Sequence, residues 1–269
     1  MKIFRTLAAG IISLLAASLT SAQTIVVIAS SDSSKVLTID ATSTSQSVPV
    51  FQADYYNSPN QRWTLQSAGG GKYYIYNTAD GRALESTNTD LNAPLYASDL
   101  NWGDTHQMWR FASGYGVADR LITSAFSGLN VNIDIANREG ENAPASLGSN
   151  DTLRTTWIVV PVHSVPNSGP LTSALGTTTD NADIRLGRVR NALRVGFWAW
   201  SEADPQGTAI WCTGFFLPQW DMWVSNITVA AGSRDNYLID AYALGADYEW
   251  HYLSSTSQIF GQRVQPPRQ

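Results

Sequence analysis

Across residues 23–160 apolar and polar positions alternate in short runs separated by turn residues, and no stretch shows the spacing of an amphipathic helix. Tyr73-Tyr74-Ile75-Tyr76-Asn77 reads as a strand, Asp80-Gly81 as a hairpin turn, and Arg82-Ala83-Leu84-Glu85 as the return strand. Ile25-Val26-Val27-Ile28 and Lys35-Val36-Leu37-Thr38-Ile39 make a similar pair around a polar loop. A third pair is Leu121-Ile122 and Val131-Asn132-Ile133, with Ser127-Gly128 as the turn. The pattern predicts an all-β first half built from short strands.

Alternation returns in Val195–Trp200, Thr208–Phe216, Trp223–Val229 and Tyr237–Tyr242. Residues 183–269 are therefore expected to form a small β-rich domain, a sandwich or a further barrel, with a frayed tail from Gln262 to Gln269. Between the halves, residues 161–182 carry Pro161, Pro166 and Pro170 among Ser, Thr, Gly and Asn, which reads as a linker. Limited proteolysis is expected to cut there and leave two folded fragments. The second half holds six of the ten tryptophans: Trp198, Trp200, Trp211, Trp220, Trp223 and Trp250. They either fill the core of a domain without disulfides, the expected role, or form a sugar- or membrane-contacting surface.

The first half repeats itself. Asn60-Gln61-Arg62-Trp63, His106-Gln107-Met108-Trp109 and Thr155-Thr156-Trp157 close three similar segments, the tryptophans 46 and 48 residues apart. Leu37, Leu84 and Val131 recur at intervals of 47, and Val48-Pro49, Ala93-Pro94 and Ala143-Pro144 lie between each apolar residue and its tryptophan. Gln and Trp two apart on a strand share a face. The indole supplies apolar bulk, and a buried Gln needs hydrogen-bond partners, expected in the loop before it. Three such units around an axis close a barrel that one unit cannot.

This pattern, a turn Gly, an apolar-polar-apolar triplet and a closing Gln-x-Trp three times over, resembles the ricin B-type β-trefoil lectins over residues 23–160. The resemblance implies a β-trefoil with up to one shallow sugar pocket per repeat, typically for galactose or N-acetylgalactosamine. In that family an Asp at the triplet centre, an aromatic plate and an Asn before Gln-x-Trp hold the sugar. The triplet centres here are Thr38, Glu85 and Asn132, so no unit has the Asp in place, and unit three has Thr155 where the Gln belongs. Asp40 and Asp134 stand two residues on and substitute if the register slips by two. The candidate carbohydrate-binding residues are Glu85, Trp102 and His106 in unit two, and Asp40, Tyr55 (with Tyr56 beside it) and Asn60 in unit one. Unit three is expected to have lost its pocket.

Composition narrows the function. Lys+Arg 17 against Asp+Glu 22 leaves a formal charge of −5, which argues against nucleic acid as a partner. Residues 1–22, with Lys2 and Arg5, a short apolar run and Thr20-Ser21-Ala22, read as a signal peptide rather than a membrane anchor. The expectation is a secreted protein with no integral membrane segment. Asn150-Asp151-Thr152 and Asn226-Ile227-Thr228 are glycosylation sequons.

Cys212 is the single cysteine, expected to be buried and inert rather than a nucleophile served by His251 and Asp240. Arg185, Arg188, Arg190 and Arg194 form a local basic cluster, read as a solvated face or as partners of neighbouring acids rather than as an anion site. His106, His163 and His251 are too scattered for a metal cluster, and no cofactor or catalytic set is expected. The resulting reading is a secreted carbohydrate-binding protein whose partners are glycans or glycoproteins. The alternatives are a trefoil that targets a C-terminal toxin or hydrolase domain to glycan surfaces, and a trefoil that has lost sugar binding.

Overall fold

A computed structural model describes residues 23–114, 119–133, 140–149, 156–176, 178 and 180–260. The signal segment 1–22, the tail 262–269, Asp134, Thr155 and the sequon at Asn150 lie outside the described residues.

The first half holds twelve strands in one sheet, four per repeat. Unit one contains β1 (Thr24–Ser30), β2 (Val36–Ile39), β3 (Ser47–Ala53) and β4 (Trp63–Gly69). Unit two contains β5 (Lys72–Asn77), β6 (Ala83–Glu85), β7 (Tyr96–Ser98) and β8 (Met108–Ser113). Unit three contains β9 (Asp119–Ser124), β10 (Asn130–Ile133), β11 (Ala143–Gly148) and β12 (Thr156–Pro161). The outer strands of each unit pair in a ring, β1–β4–β5–β8–β9–β12 and back to β1, which closes an antiparallel barrel. The inner strands form three hairpins that cap one end. Closure removes the free edges a short-stranded sheet would otherwise expose.

The recurrent residues meet as the repeat requires. Trp63, Trp109 and Trp157 are fully buried together with Leu37, Leu84 and Val131. Each indole N–H donates to the backbone carbonyl of its own unit's recurrent apolar residue: Trp63 to Leu37 at 3.0 Å, Trp109 to Leu84 at 2.8 Å, Trp157 to Val131 at 3.0 Å. One side chain thus fills the core and ties the barrel to its cap.

The second half is a sandwich of two four-stranded antiparallel sheets. One contains β13 (Leu171–Leu175), β14 (Asn181–Gly187), β17 (Phe215–Leu217) and β18 (Met222–Thr228). The other contains β15 (Arg194–Ser201), β16 (Ile210–Thr213), β19 (Asn236–Leu244) and β20 (Trp250–Ile259). The stretch 161–182 is not linker throughout, because β13 pairs along its whole length with β14 and buries Leu171. The Ser, Thr and Ala of this strand hide its apolar content. Only 162–170 runs between the last barrel strand and the sandwich.

The halves share a core. Val27 and Ala29 of β1, Val36 of β2, and Ile158 and Val160 of β12 join one apolar cluster with Ile184, Phe197, Trp223 and Ile239 of the sandwich. Ile25–Ala29 and Trp157–Val160 are accordingly continuous apolar runs, since both faces of these strands are covered. Tyr55, only 5% exposed, donates its hydroxyl to the Ala246 carbonyl at 2.6 Å, and burial raises its phenol pKa so that it stays a donor.

Asp54 accepts from Lys35 at 2.9 Å and from Arg194, across the seam, at 2.8 Å. Burial alone would raise the Asp54 pKa, but these cations hold it below 3.8. Burial alone would lower Lys35, but Glu141 and Asp54 hold it above 10.5. A depressed carboxylate stabilises the fold above its ordinary value and loses that contribution as pH falls through the lower, folded value. A raised amine is lost at the alkaline end. The seam is therefore expected to be fully paired from about pH 4 to 10. Arg194→Ala should cost less than about 1 kcal/mol at pH 7, because the pair is partly solvated. The cost of the same substitution should shrink as pH falls through the lowered Asp54 value. Urea midpoints of the two proteins at pH 7 and pH 2.5 measure this difference.

Candidate carbohydrate site

Both closing glutamines organise the loops before them. Gln61 donates to the Asp54 carbonyl at 2.6 Å and accepts from the Tyr56 amide at 2.7 Å. Gln107 donates to the Asp99 carbonyl at 2.9 Å and accepts from the Asn101 amide at 2.8 Å. Each also approaches its unit's triplet centre, Gln61 to Thr38 and Gln107 to Glu85, both at 3.4 Å. The two units thus have one geometry, with a hydroxyl in the first where the second has a carboxylate.

In unit two the loop held by Gln107 carries Trp102, 60% exposed. Its ring stands edge-on against Tyr74 at 4.8 Å and Tyr76 at 6.5 Å, with planes near perpendicular. The Gly103 amide donates to the Tyr74 hydroxyl at 2.5 Å, fixing the loop beside its prop. His106 is engaged on two sides: Nδ1 lies 2.7 Å from Asp104 Oδ1, and the ring packs on Phe126 at 3.9 Å. Its backbone carbonyl accepts from the Ser86 amide at 3.0 Å, next to Glu85. The structure therefore gathers Glu85, Gln107 and His106 around one loop and leaves the Trp102 indole largely open to solvent.

Unit one is arranged differently. Asp40 is exposed, and the Thr42 hydroxyl and amide bond its carboxylate at 2.6 and 3.0 Å, lowering its pKa. Asn60 donates to the Ile39 carbonyl at 2.8 Å, which sets it one residue from Asp40. Tyr55 is not beside them as an open plate. It lies in the seam, and its exposed neighbour Tyr56 is the free ring of that loop. In unit three Asn132 occupies the triplet centre and packs against Gly148, where an added Cβ would come within 2.7 Å of it.

The candidates for other chemistry do not assemble. Cys212 is half-buried rather than buried as expected: it packs against the edge of the core, lies 3.7 Å from the Phe197 carbonyl, and loss of solvent raises its thiol pKa. His251 pairs with Asp247 at 2.8 Å, and Asp240 bonds Ser255 at 2.7 Å. No triad forms from Cys212, His251 and Asp240. Alkylation of Cys212 by iodoacetamide is expected to be slow in the native protein and fast in urea, with thiol titration as the readout. Arg190 pairs with Asp221 and Arg194 with Asp54, so these two arginines are neutralised separately. Among the described residues no set of three or more His, Cys, Asp or Glu side chains gathers to hold a metal, and no helix is long and apolar enough to cross a membrane.

Residues 17–96 match the family model described as ricin-type β-trefoil lectin domain-like. The first half has the β-trefoil fold, and its residues up to Tyr96 carry the match to the ricin-type lectin domain. Solved structures that resemble this half include the designed three-fold symmetric protein ThreeFoil, 23% identical over 51% of this chain and 97% of that one, with a TM-score of 0.46. The Macrolepiota procera ricin B-like lectin, solved with lactose, is 15% identical over 50% and 93%, TM-score 0.44. The Rhizoctonia solani agglutinin is 14% identical over 52% and 96%, TM-score 0.45. No curated protein matches the chain.

Of the six tryptophans in the second half, only Trp223 is buried; Trp198, Trp211, Trp220 and Trp250 are exposed and Trp200 is half-buried. The expectation that they fill the core fails. The sandwich is closed by smaller residues, Ala182, Ile184, Leu186, Val195, Ala199, Ile239, Ala241 and Ala243, with Phe197. A signal was present: Trp198 and Trp200 alternate with Phe197 and Ala199, so the two sets must face opposite sides of β15.

Proposed function

We propose that this is a secreted lectin whose trefoil half binds galactose- or N-acetylgalactosamine-type glycans through unit two. Residues 17–96 match a lectin-domain family model, and carbohydrate binding is what that family name describes. The observation that carries the choice of unit is Trp102, an exposed indole propped on Tyr74 and Tyr76 and set on a loop that Gln107 ties to Glu85. A pyranose offers an apolar C–H face to such a ring and hydroxyl protons to such a carboxylate. Unit one offers an acid and an amide, Asp40 and Asn60, without a plate in the same arrangement.

Titration of the full chain with lactose tests the reading. Binding that disappears with Trp102→Ala supports it. Binding that survives Trp102→Ala and disappears with Asp40→Ala moves the site to unit one. Secretion rests on residues 1–22, and an exported product beginning at Gln23 would establish it.

A further inference from the structure

The outer face of the β16–β15–β19–β20 sheet carries a cavity of about 700 Å³ lined by Trp198, Trp200, Pro205, Trp211, Tyr242 and Trp250. Its size lies in the range of small-molecule sites, about 300–1,000 Å³. Exposed apolar surface of this kind, gathered in one place, marks an interaction site rather than ordinary surface. We propose that it is a second carbohydrate site, for a short run of pyranoses, separate from the trefoil pocket.

The register shows how the face is made. Trp211 of β16 lies directly opposite Trp198 of β15, Trp198 opposite Asp240 of β19, and Asp240 opposite Ser255 of β20. Two indoles, a carboxylate and a hydroxyl thus form one lane across four strands, about 14 Å long at the usual strand spacing. Trp198 and Trp211 are each 43% exposed and pack at 5.9 Å with planes 60° apart. Trp250, 44% exposed, stands perpendicular to Trp211 at 5.1 Å and forms a wall.

Gly196 explains the lie of the Trp211 ring. A Cβ there would meet Trp211 Cζ2 at 2.1 Å and Cη2 at 2.4 Å, so the indole crosses the strand where a side chain is missing. A ring laid down on a strand turns its face outward, which is the orientation a stacking plate needs.

The polar end of the lane has the chemistry of a hydroxyl ligand. Asp240 is held by hydroxyls, Ser255 at 2.7 Å and Tyr242 at 3.5 Å, and Tyr252 meets Ser255 at 2.6 Å. A sugar hydroxyl extends such a chain without changing its charge, and a carboxylate has lone pairs left to accept it. None of the residues lining the cavity is charged, so nothing there neutralises a phosphate or carboxylate ligand. Trp198, Trp211 and Tyr242 stand within strands rather than on a projecting loop, with Trp250 at the start of β20 closing one side. The rings thus form an open, fixed trough of the kind a short sugar chain can lie along.

The test uses the full chain carrying Glu85→Ala and Trp102→Ala, so that the trefoil pocket proposed above is silent and its failure leaves this proposal untouched. Cellotriose, triacetylchitotriose and lactose are titrated while the indole N–H resonances are followed by NMR, with Trp198 and Trp211 assigned by Phe substitution. At least one of these sugars is expected to shift both signals. Trp198→Ala or Trp211→Ala should weaken binding at least about 10-fold, and Asp240→Asn about 3- to 10-fold. Trp198→Phe, which keeps a plate, should bind and shows that any loss is not misfolding. The proposal is overturned if no sugar moves either signal at tens of millimolar, or if binding persists in both alanine variants. It is equally overturned if phosphatidylcholine vesicles, and no sugar, perturb the two indoles.

Discussion

Trp109→Ala is expected to destabilise the trefoil by about 3–5 kcal/mol. The indole is fully buried among Leu84, Ile75, Ile122 and the other two repeat tryptophans in one cluster, so its removal leaves a cavity in a close-packed interior. The Leu84 carbonyl also loses the donor that reaches it at 2.8 Å and stays buried without it. Trp109→Phe keeps most of the volume and loses only the hydrogen bond, so it should fall between the two. Trp63→Ala and Trp157→Ala should match Trp109→Ala in size, because each indole makes the same bond in its own unit. Gln107→Ala should cost less, about 1–3 kcal/mol, and should loosen the loop that carries Trp102. Urea unfolding of the full chain measures all five. A loss under about 1 kcal/mol for Trp109→Ala would mean that the barrel does not depend on its repeat tryptophans.

Glu85→Ala and Trp102→Ala are expected to abolish lactose binding while leaving the unfolding midpoint nearly unchanged. A shallow site with one plate and a few hydrogen bonds should bind with a dissociation constant on the order of 0.1–1 mM, equivalent to about −5.5 to −4 kcal/mol. Loss of the plate or the acceptor removes enough of that to take binding beyond detection. Stability should move by only about 0.5 kcal/mol, because Trp102 is mostly exposed and Gln107 keeps its bonds to Asp99 and Asn101 when Glu85 is gone. Isothermal titration and thermal unfolding on the same samples separate the two effects. Unfolding of Trp102→Ala at room temperature would make Trp102 a structural residue and remove the unit-two pocket. Weak binding of this order becomes useful only against clustered glycans or with a second site on the same chain.

The sequence by itself determined the barrel. Tryptophans at near-constant spacing, each with an apolar partner about 25 residues upstream, showed three equivalent units able to close one barrel. The resemblance to ricin B-type lectins implied the trefoil, and the structure adopts it. The closing glutamines were legible for the same reason, since a buried amide must be satisfied locally. Strand alternation in the second half gave a β-rich domain, because facing is a local property of each strand, and left sandwich and barrel open until the structure showed two four-stranded sheets.

What only the tertiary structure decided concerns pairs of elements far apart in the chain. Tyr55 as a seam residue depends on the Ala246 carbonyl, and Asp54 on Arg194, neither of which spacing reveals. The shared core left one trace, the unbroken apolar runs of β1 and β12, but a run covered on both faces does not say what covers it. The aromatic face of the sandwich is the clearest case. Alternation places Trp198 and Trp200 opposite Phe197, yet which of the two faces lies inside depends on the other sheet. Aliphatic residues of β14 and β19 fill that interior together with Phe197, Phe216, Trp223, Tyr237 and Phe260, and the remaining tryptophans lie outside it.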